Sequence, residues 1–302
     1  MAVASILTAA VGCDKRAQGE TTDTPARLQT SLAGKPTVLF QMFGDRAEPR
    51  LLPVATMGHG RLTPITLDAA GWRKFDKLYF SPGARVTIYR RGAPMTTAVV
   101  QRGMWTGGSP LYKLPGCRAP RPMAEAKLDS IPEEMTSLDL VGTSDPVPAT
   151  PRAALTGADA DSARAVADRA AKRAGIMPAA RAEMDLSTET LQTGVSGWPT
   201  LVVSFMEKPS SAGLRPRQVF ALADSSATGY AMSFFQAPRD STPEFRRLVD
   251  HVDLTGDGVD EVVLEGWKSG ADSYPIILKF INGGWHELAR GASTWCADRP
   301  RR

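Results

Sequence analysis

The stretch PIILKFINGGWHELA, from Pro275 to Ala289, carries the clearest β-hairpin pattern in the chain. Two runs rich in branched and aromatic side chains, 275–281 and 285–289, flank Asn282-Gly283-Gly284. Tight hairpin turns prefer Asn-Gly because both central residues of such a turn need a positive φ. This stretch therefore predicts two antiparallel strands joined by a tight turn, and it favours a β fold for the region around it.

Outward from the hairpin, both halves of the chain contain further short runs with strand composition, separated by Gly, Pro, Asn and Asp. The other candidate strands are 37–43, 61–67, 76–80, 85–90, 96–101, 198–206, 218–223, 230–236, 248–252 and 261–265. This spacing predicts a mainly β fold, built from antiparallel meanders that form a sandwich or propeller-like sheets.

One principal surface helix is predicted near 158–174, where the sequence is dense in alanine. Asp159 and Asp161 lie at its start, and Lys172 and Arg173 lie at its end, which suits the helix dipole. Because this helix has little apolar bulk, we expect it to cover the edge of a sheet.

The distribution of prolines suggests a division of the chain. Residues 118–157 are rich in proline and polar side chains, so they are predicted to be a linker. The linker would separate an N-terminal β domain, 35–117, from a second domain, 158–302, that contains the helix and the C-terminal strands.

Composition and charge narrow the class of protein. The chain has 302 residues, of which 42% are hydrophobic and 23% are charged, as in soluble globular proteins. Its net charge of +4 is small, and the basic residues form no stripe. Binding of nucleic acid is therefore not expected.

The N-terminus has the pattern of an export signal. Residues 1–12 carry no charged side chain, and the sequence becomes polar directly after Cys13. Ala10-Val11-Gly12-Cys13 resembles the lipobox of bacterial lipoproteins. The resemblance implies a signal peptide over 1–12, a lipid on Cys13 and a flexible tether over 13–34. Asp14 resembles the signal that retains such proteins at the periplasmic face of the inner membrane. The alternative is a short apolar arm in which Cys13 is a buried thiol.

Two further cysteines, Cys117 and Cys296, would be available for a disulfide in an oxidising compartment. The alternative is two unrelated buried thiols. A disulfide would also gather a basic patch that could contact anionic lipids or an acidic protein, and the alternative is a solvated terminal tail. This patch comprises Arg118, Arg121, Arg299, Arg301 and Arg302.

The stretch DLTGDGVDE, 253–261, has the strongest chemical pattern in the chain. Oxygen-bearing side chains recur at alternate positions and a glycine stands in the middle, which is typical of loops that bind Ca²⁺. An EF-hand is excluded, because Leu264 stands where the bidentate glutamate is needed and a strand pattern follows.

The stretch resembles instead the calcium loop of FG-GAP and VCBS-type β repeats. The resemblance implies Ca²⁺ ligands at Asp253, Thr255, Asp257 and Glu261, and at the backbone carbonyl of Val259. It covers only 248–291, and no specific protein family is identified. The alternative is a tight turn whose aspartates bond backbone amides and hold no metal.

No catalytic motif accompanies these features. The three histidines, His59, His251 and His286, lack metal-binding spacing, and no nucleophile elbow or phosphate-binding loop occurs. We therefore expect a non-enzymatic, lipid-anchored accessory subunit with a protein partner in the cell envelope, whose oligomeric state is left open. One alternative is a glycan-binding protein that uses tryptophans at 72, 105, 267 and 285. A second is a hydrolase with a carboxylate pair that the sequence does not reveal.

Overall fold

The computed structural model describes residues 35–58, 60–106, 121–131, 138–149, 160–208, 217–237, 244–268 and 273–291. The first half contains β1 (Thr37–Phe43), β2 (Arg50–Gly58), β3 (Arg61–Pro64), α1 (Ala69–Tyr79), β4 (Arg85–Arg90), β5 (Ala93–Thr106), β6 (Arg121–Leu128) and β7 (Leu140–Thr143). The second half contains α2 (Ala160–Arg173), α3 (Pro178–Ala182), β8 (Met184–Leu191), β9 (Thr200–Glu207), β10 (Gln218–Ser226), β11 (Gly229–Gln236), β12 (Glu244–Val252), β13 (Glu261–Lys268), β14 (Ser273–Ile281) and β15 (Gly284–Arg290). The prediction of a mainly β, antiparallel fold with a principal helix near 158–174 is confirmed.

Six strands of the first half close into a barrel in the order β1, β7, β4, β5, β6, β2. The ring is closed because β2 pairs with β1 as well as with β6, while β3 extends from β2. Val38 and Phe40 of β1 belong to the core inside the barrel, whereas Leu39 between them packs outside it. This alternation is the one that a pleated strand imposes.

Helix α1 contributes to the core of the barrel. Its buried side chains are Trp72, Phe75 and Tyr79. Asp68 caps the helix by accepting a hydrogen bond from the backbone N–H of Gly71 at 2.7 Å. The strand predicted for 76–80 is therefore wrong. The apolar run at its end suggested a strand, but the helical spacing of the buried side chains and the cap favour a helix.

Two strands lie inside the stretch 118–157, for which a linker is predicted. β6 pairs with β5 and β2, and β7 lies between β1 and β4, so both are part of the barrel. Every second residue of β6 points into the barrel core, namely Ala124, Ala126 and Leu128. The prediction of a linker is wrong for these strands, because the prolines masked an alternation of mostly small side chains.

The strands of the second half form two four-stranded sheets. The helix-backed sheet has the order β11, β10, β9, β8, and the C-terminal sheet has the order β12, β13, β14, β15. Helix α2 packs on one face of the helix-backed sheet rather than on an edge, with Val166 and Ala170 against Val203 and Ala221. Phe220 of β10 points the opposite way, toward the C-terminal sheet.

The C-terminal sheet is covered on both faces. Val262 and Leu264 pack against the helix-backed sheet, whereas Val263 and Ile277 pack against the barrel. Both β13 and β14 therefore read as continuous apolar runs rather than as alternating ones. The resulting layers are α2, the helix-backed sheet, the C-terminal sheet and the barrel.

The hairpin predicted at Asn282-Gly283 is confirmed. Asn282 has φ +52° and Gly283 has φ +83°, and the flanking Ile281 and Gly284 pair with each other. Local turn chemistry thus determines the register of β14 and β15.

Candidate functional site

The loop between β12 and β13 is folded around the side chain of Asp253. Oδ1 of Asp253 accepts hydrogen bonds from the backbone N–H groups of Gly256 (2.7 Å) and Asp257 (3.2 Å). Oδ2 accepts one from Gly258 at 2.9 Å. An aspartate that bonds backbone amides ahead of it stabilises a tight turn. The loop therefore has the internal bonds of the metal-free turn that the sequence left open.

Glu261, the first residue of β13, closes the loop from the other side and is only 1% exposed. Its Oε2 accepts hydrogen bonds from the backbone N–H groups of Leu254 (2.8 Å) and Thr255 (3.1 Å). Its Oε1 accepts one from Oγ1 of Thr255 at 2.8 Å. Burial raises the pKa of Glu261, and the bonds to its carboxylate oppose that rise.

Lys279 of β14 reaches into the same loop. Its ammonium donates hydrogen bonds to Oγ1 of Thr255 (2.5 Å), Oδ2 of Asp257 (2.5 Å) and Oε1 of Glu261 (3.0 Å). Burial alone would lower the pKa of Lys279, but its bonds to Asp257 and Glu261 outweigh burial, and the pKa is raised. In the same way, burial would raise the pKa of Asp257, but the bond from Lys279 outweighs it and the pKa is lowered. Lys279 is therefore held as a cation.

Three of the side chains predicted as calcium ligands thus converge on an ammonium group. Ca²⁺ needs about six to eight oxygen ligands around one point, and the Nζ atom of Lys279 already lies among those of Thr255, Asp257 and Glu261. Among the described residues, no three His, Cys, Asp or Glu side chains are grouped so as to hold a metal ion. The arrangement therefore does not fit a calcium ion.

The same loop brings together a buried histidine and a buried aspartate. His251 lies at the end of β12, and Asp260 directly precedes β13. Nδ1 of His251 is 2.6 Å from Oδ2 of Asp260, and the two side chains are 3% and 5% exposed. A carboxylate in this position fixes the orientation of the imidazole ring.

A second buried carboxylate, Asp250, adjoins this pair. Its Oδ1 accepts hydrogen bonds from the backbone N–H groups of Arg91 (2.7 Å) and His251 (2.8 Å). Burial raises the pKa of Asp250 to about 6, against the opposing effect of these bonds. Asp250 therefore titrates closer to neutrality than an exposed aspartate does.

The turn between β4 and β5 of the barrel lies directly on the histidine–aspartate pair. A Cβ atom on Gly92 would lie 2.6 Å from Oδ2 of Asp260 and 3.1 Å from Cε1 of His251. Gly92 also has φ +76°, which residues other than glycine rarely adopt. Contact between the barrel and the C-terminal sheet at this point requires glycine.

A cleft of about 860 Å³ lies beside this contact. The barrel contributes Arg90 and Arg91 to its wall, β12 contributes Asp250 and His251, and β8 contributes 188–191. A smaller cavity of about 230 Å³ continues along β8. The cleft therefore combines an outer strand of the helix-backed sheet, two arginine side chains and the buried residues Asp250 and His251.

Sequence reasoning passed over this pair because His251 lies outside the predicted calcium loop and Asp260 lies at a position of that loop that is not a predicted ligand. A signal was nevertheless available. The two residues lie close to either end of a glycine-rich loop between two predicted strands, and a hairpin brings such residues opposite each other.

The tryptophans considered for glycan binding pack largely inside the protein. Trp72 and Trp285 are buried, and Trp105 contacts Trp72 with 5.5 Å between the ring centroids. Trp267 stacks on Phe245 at 5.3 Å. Trp72, Trp105 and Trp285 therefore pack in or against hydrophobic cores, whereas Trp267 is half-buried and lines the smaller cavity.

Several predicted features lie outside the described residues. They are Cys13, Cys117, Cys296, Arg118, Arg299, Arg301 and Arg302, together with the side chain of Arg121. The lipid anchor, the disulfide and the basic patch therefore stay predictions. Within the described part of the chain, no helix is long and apolar enough to cross a membrane.

Comparisons of the chain with protein-family models, with curated proteins and with solved structures found no match.

Proposed function

We propose that this chain is a non-enzymatic accessory subunit of the cell envelope that binds an extended segment of a partner protein along β8. A lipid on Cys13 would hold it at the membrane. The observation that carries the proposal is the edge of β8 beside the cleft, with which no strand other than β9 pairs among the described residues.

β8 is the last strand of the helix-backed sheet among the described strands. Its six residues from 185 to 190 are all exposed, whereas Met184 and Leu191 at its ends are buried. A sheet edge presents backbone N–H and C=O groups that can pair with another strand. Adding a strand to such an edge is a common mode of peptide recognition, because the main chain supplies the hydrogen bonds.

The charge beside this edge indicates the chemistry of the bound segment. Arg90 and Arg91 are exposed at the cleft, and the charge of Arg90 also acts on the buried carboxyl group of Asp250. Acidic side chains of an extended segment would complement them. We therefore propose a partner segment that is extended and acidic.

The proposed location is the periplasmic face of the inner membrane. It depends on the lipobox-like sequence before Cys13 and on Asp14, with 13–34 serving as the tether. Metabolic labelling with a fatty acid should mark the wild-type chain and should not mark the Cys13→Ser variant. Unprocessed Met1 in the mature protein would overturn the anchor without bearing on the β8 surface.

The binding surface is tested with a photo-crosslinking amino acid at Thr188 of β8, in the full chain in native membranes. Exposed Gln101 of β5, on the barrel, is the matched control position. We expect one partner protein to crosslink at Thr188 and not at Gln101. The crosslinked segment, made as a synthetic peptide, should then slow hydrogen exchange of backbone amides in 184–191.

Three results would contradict the proposal. One is equal crosslinking at both positions, another is no crosslinking at either, and the third is a peptide that leaves exchange in β8 unchanged. The lipid anchor is tested separately by the labelling experiment, so its failure is distinguishable.

The buried cluster of Asp250, His251 and Asp260 favours a second candidate function. It is a hydrolase in which His251 acts as a general base oriented by Asp260. His251 lines the cleft, and Asp250 and Asp260 both contact it. Screening with chromogenic ester and glycoside substrates, with His251→Gln as the control, tests this candidate. Turnover that His251→Gln abolishes would support it, and equal rates for both proteins would exclude it.

A further inference from the structure

The loop 253–261 concentrates negative charge in a small and largely buried volume. Asp253 is 3% exposed, Glu261 is 1% exposed, and the side chain of Asp257 is 46% exposed. Carboxylates at such short range repel one another, and burial raises the free energy of their charged forms. A loop with this composition therefore needs a cation. In calcium loops the metal ion provides it.

We propose that the ammonium group of Lys279 is the permanent cation of this loop, so that the loop folds without any metal ion. Its three hydrogen bonds go to Thr255, Asp257 and Glu261, which are three of the side chains that a calcium ion would use. The positive charge thus lies where these oxygens converge.

The C-terminal sheet delivers this charge to a fixed place. Leu278 pairs with Val262 in the ladder between β14 and β13, and the antiparallel register then brings Lys279 beside Glu261. Leu278 is buried between the two four-stranded sheets, so β14 cannot shift without breaking that core. A cation attached to the chain acts at a high effective concentration that does not depend on the solution.

The presence of the Lys279 ammonium group in place of a metal ion has a consequence for the cleft. The loop that Lys279 stabilises also sets Asp260 against His251. The geometry of the cleft should therefore be independent of the supply of divalent cations.

Thermal unfolding of the full chain, in EDTA and in CaCl2, tests the proposal. The wild type should show the same Tm in both solutions. Lys279→Met keeps the length of the side chain but removes its charge, and its Tm in EDTA should fall by about 5 °C or more. Calcium should restore part of that loss, with binding in the range of about 10⁻⁴–10⁻³ M. Lys127→Met, at an exposed position of β6, is the matched control and should respond to neither change.

Calorimetric titration of the wild type with CaCl2 gives a second measurement that does not depend on how well Lys279→Met folds. We expect no binding heat. Calcium binding to the wild type, or a fall in its Tm with EDTA, would overturn the proposal. A Lys279→Met variant as stable as the wild type in EDTA, or one that calcium does not stabilise, would overturn it as well.

Discussion

Nδ1 of His251 lies 2.6 Å from Oδ2 of Asp260, and this contact joins the two ends of the loop that connects β12 and β13. The barrel covers the contact through Gly92, and the loop itself is held by Asp253, Glu261 and Lys279. Three features therefore stabilise one another: the buried pair of His251 and Asp260, the barrel turn at Gly92, and the ion pairs that Lys279 forms in the loop. Each can be tested separately.

The first prediction concerns the packing of the barrel turn. Gly92→Ala should lower the free energy of unfolding by about 3 kcal/mol or more, since the new methyl group meets Asp260 and the positive φ is also unfavourable. Gly83→Ala is the control, because Gly83 has φ +87° but no atom within 4 Å of its added Cβ. It should lose only about 1–2 kcal/mol. Equal losses in urea unfolding would show that Gly92 is not in close contact with the pair.

The second prediction concerns pH. Burial raises the pKa of Asp250 from 3.8 to about 6 in the folded protein. Between these values the folded state binds more protons than the unfolded state, so the free energy of unfolding should decrease as pH rises from 4 to 6. The decrease should be up to about 3 kcal/mol, and it should persist above pH 6.

Asp250→Asn removes this titration and retains an oxygen that can accept both backbone hydrogen bonds. Its urea-unfolding free energy should vary less between pH 4 and 6, and it should exceed that of the wild type at pH 7. Asp185→Asn, on exposed β8, should follow the wild-type profile. Parallel profiles for wild type and Asp250→Asn would rule out Asp250 as the titrating group.

The third prediction ranks the acids that contact Lys279. Glu261→Gln should cost about 2–4 kcal/mol, because it removes a buried charge partner and places an amide donor among the groups that donate to Glu261. Asp257→Asn should cost less than about 1 kcal/mol, since the side chain of Asp257 is 46% exposed. Chemical denaturation of both variants gives the ranking, and the reverse order would contradict the geometry.

The fourth prediction tests how β7 and the residues after it attach to the barrel. The buried hydroxyl of Tyr89 accepts hydrogen bonds from the backbone N–H of Val147 (2.7 Å) and from Oγ1 of Thr143 (3.2 Å). Tyr89→Phe should therefore cost about 1–3 kcal/mol, because the N–H of Val147 loses its partner.

Tyr274→Phe is the matched control for Tyr89→Phe. The hydroxyl of Tyr274 is buried and has no hydrogen-bond partner among the described residues. Its removal should leave stability unchanged or raise it. A loss as large as that of Tyr89→Phe would mean that hydrogen bonding does not explain the effect.

Some elements of the fold could be predicted from short stretches of sequence. The helix at 160–173 follows from an alanine-rich segment with ordered charges, and the turn at Asn282-Gly283 follows from residues that accept positive φ. The strands of the second half follow from branched and aromatic runs. Two predictions were wrong because of local composition. The apolar residues of 76–80 predicted a strand where the chain is helical, and the prolines of 118–157 predicted a linker where β6 and β7 lie.

The sequence by itself determined the β class, the principal helix, the terminal hairpin and the presence of an acidic loop at 253–261. These depend on neighbouring residues, whose periodicity and turn preferences act locally. Only the tertiary structure decided that Lys279 supplies the cation of that loop, that Asp260 meets His251, and that Gly92 covers them. Those contacts join separate strands, and their positions follow from sheet register and from the packing of the barrel on the C-terminal sheet.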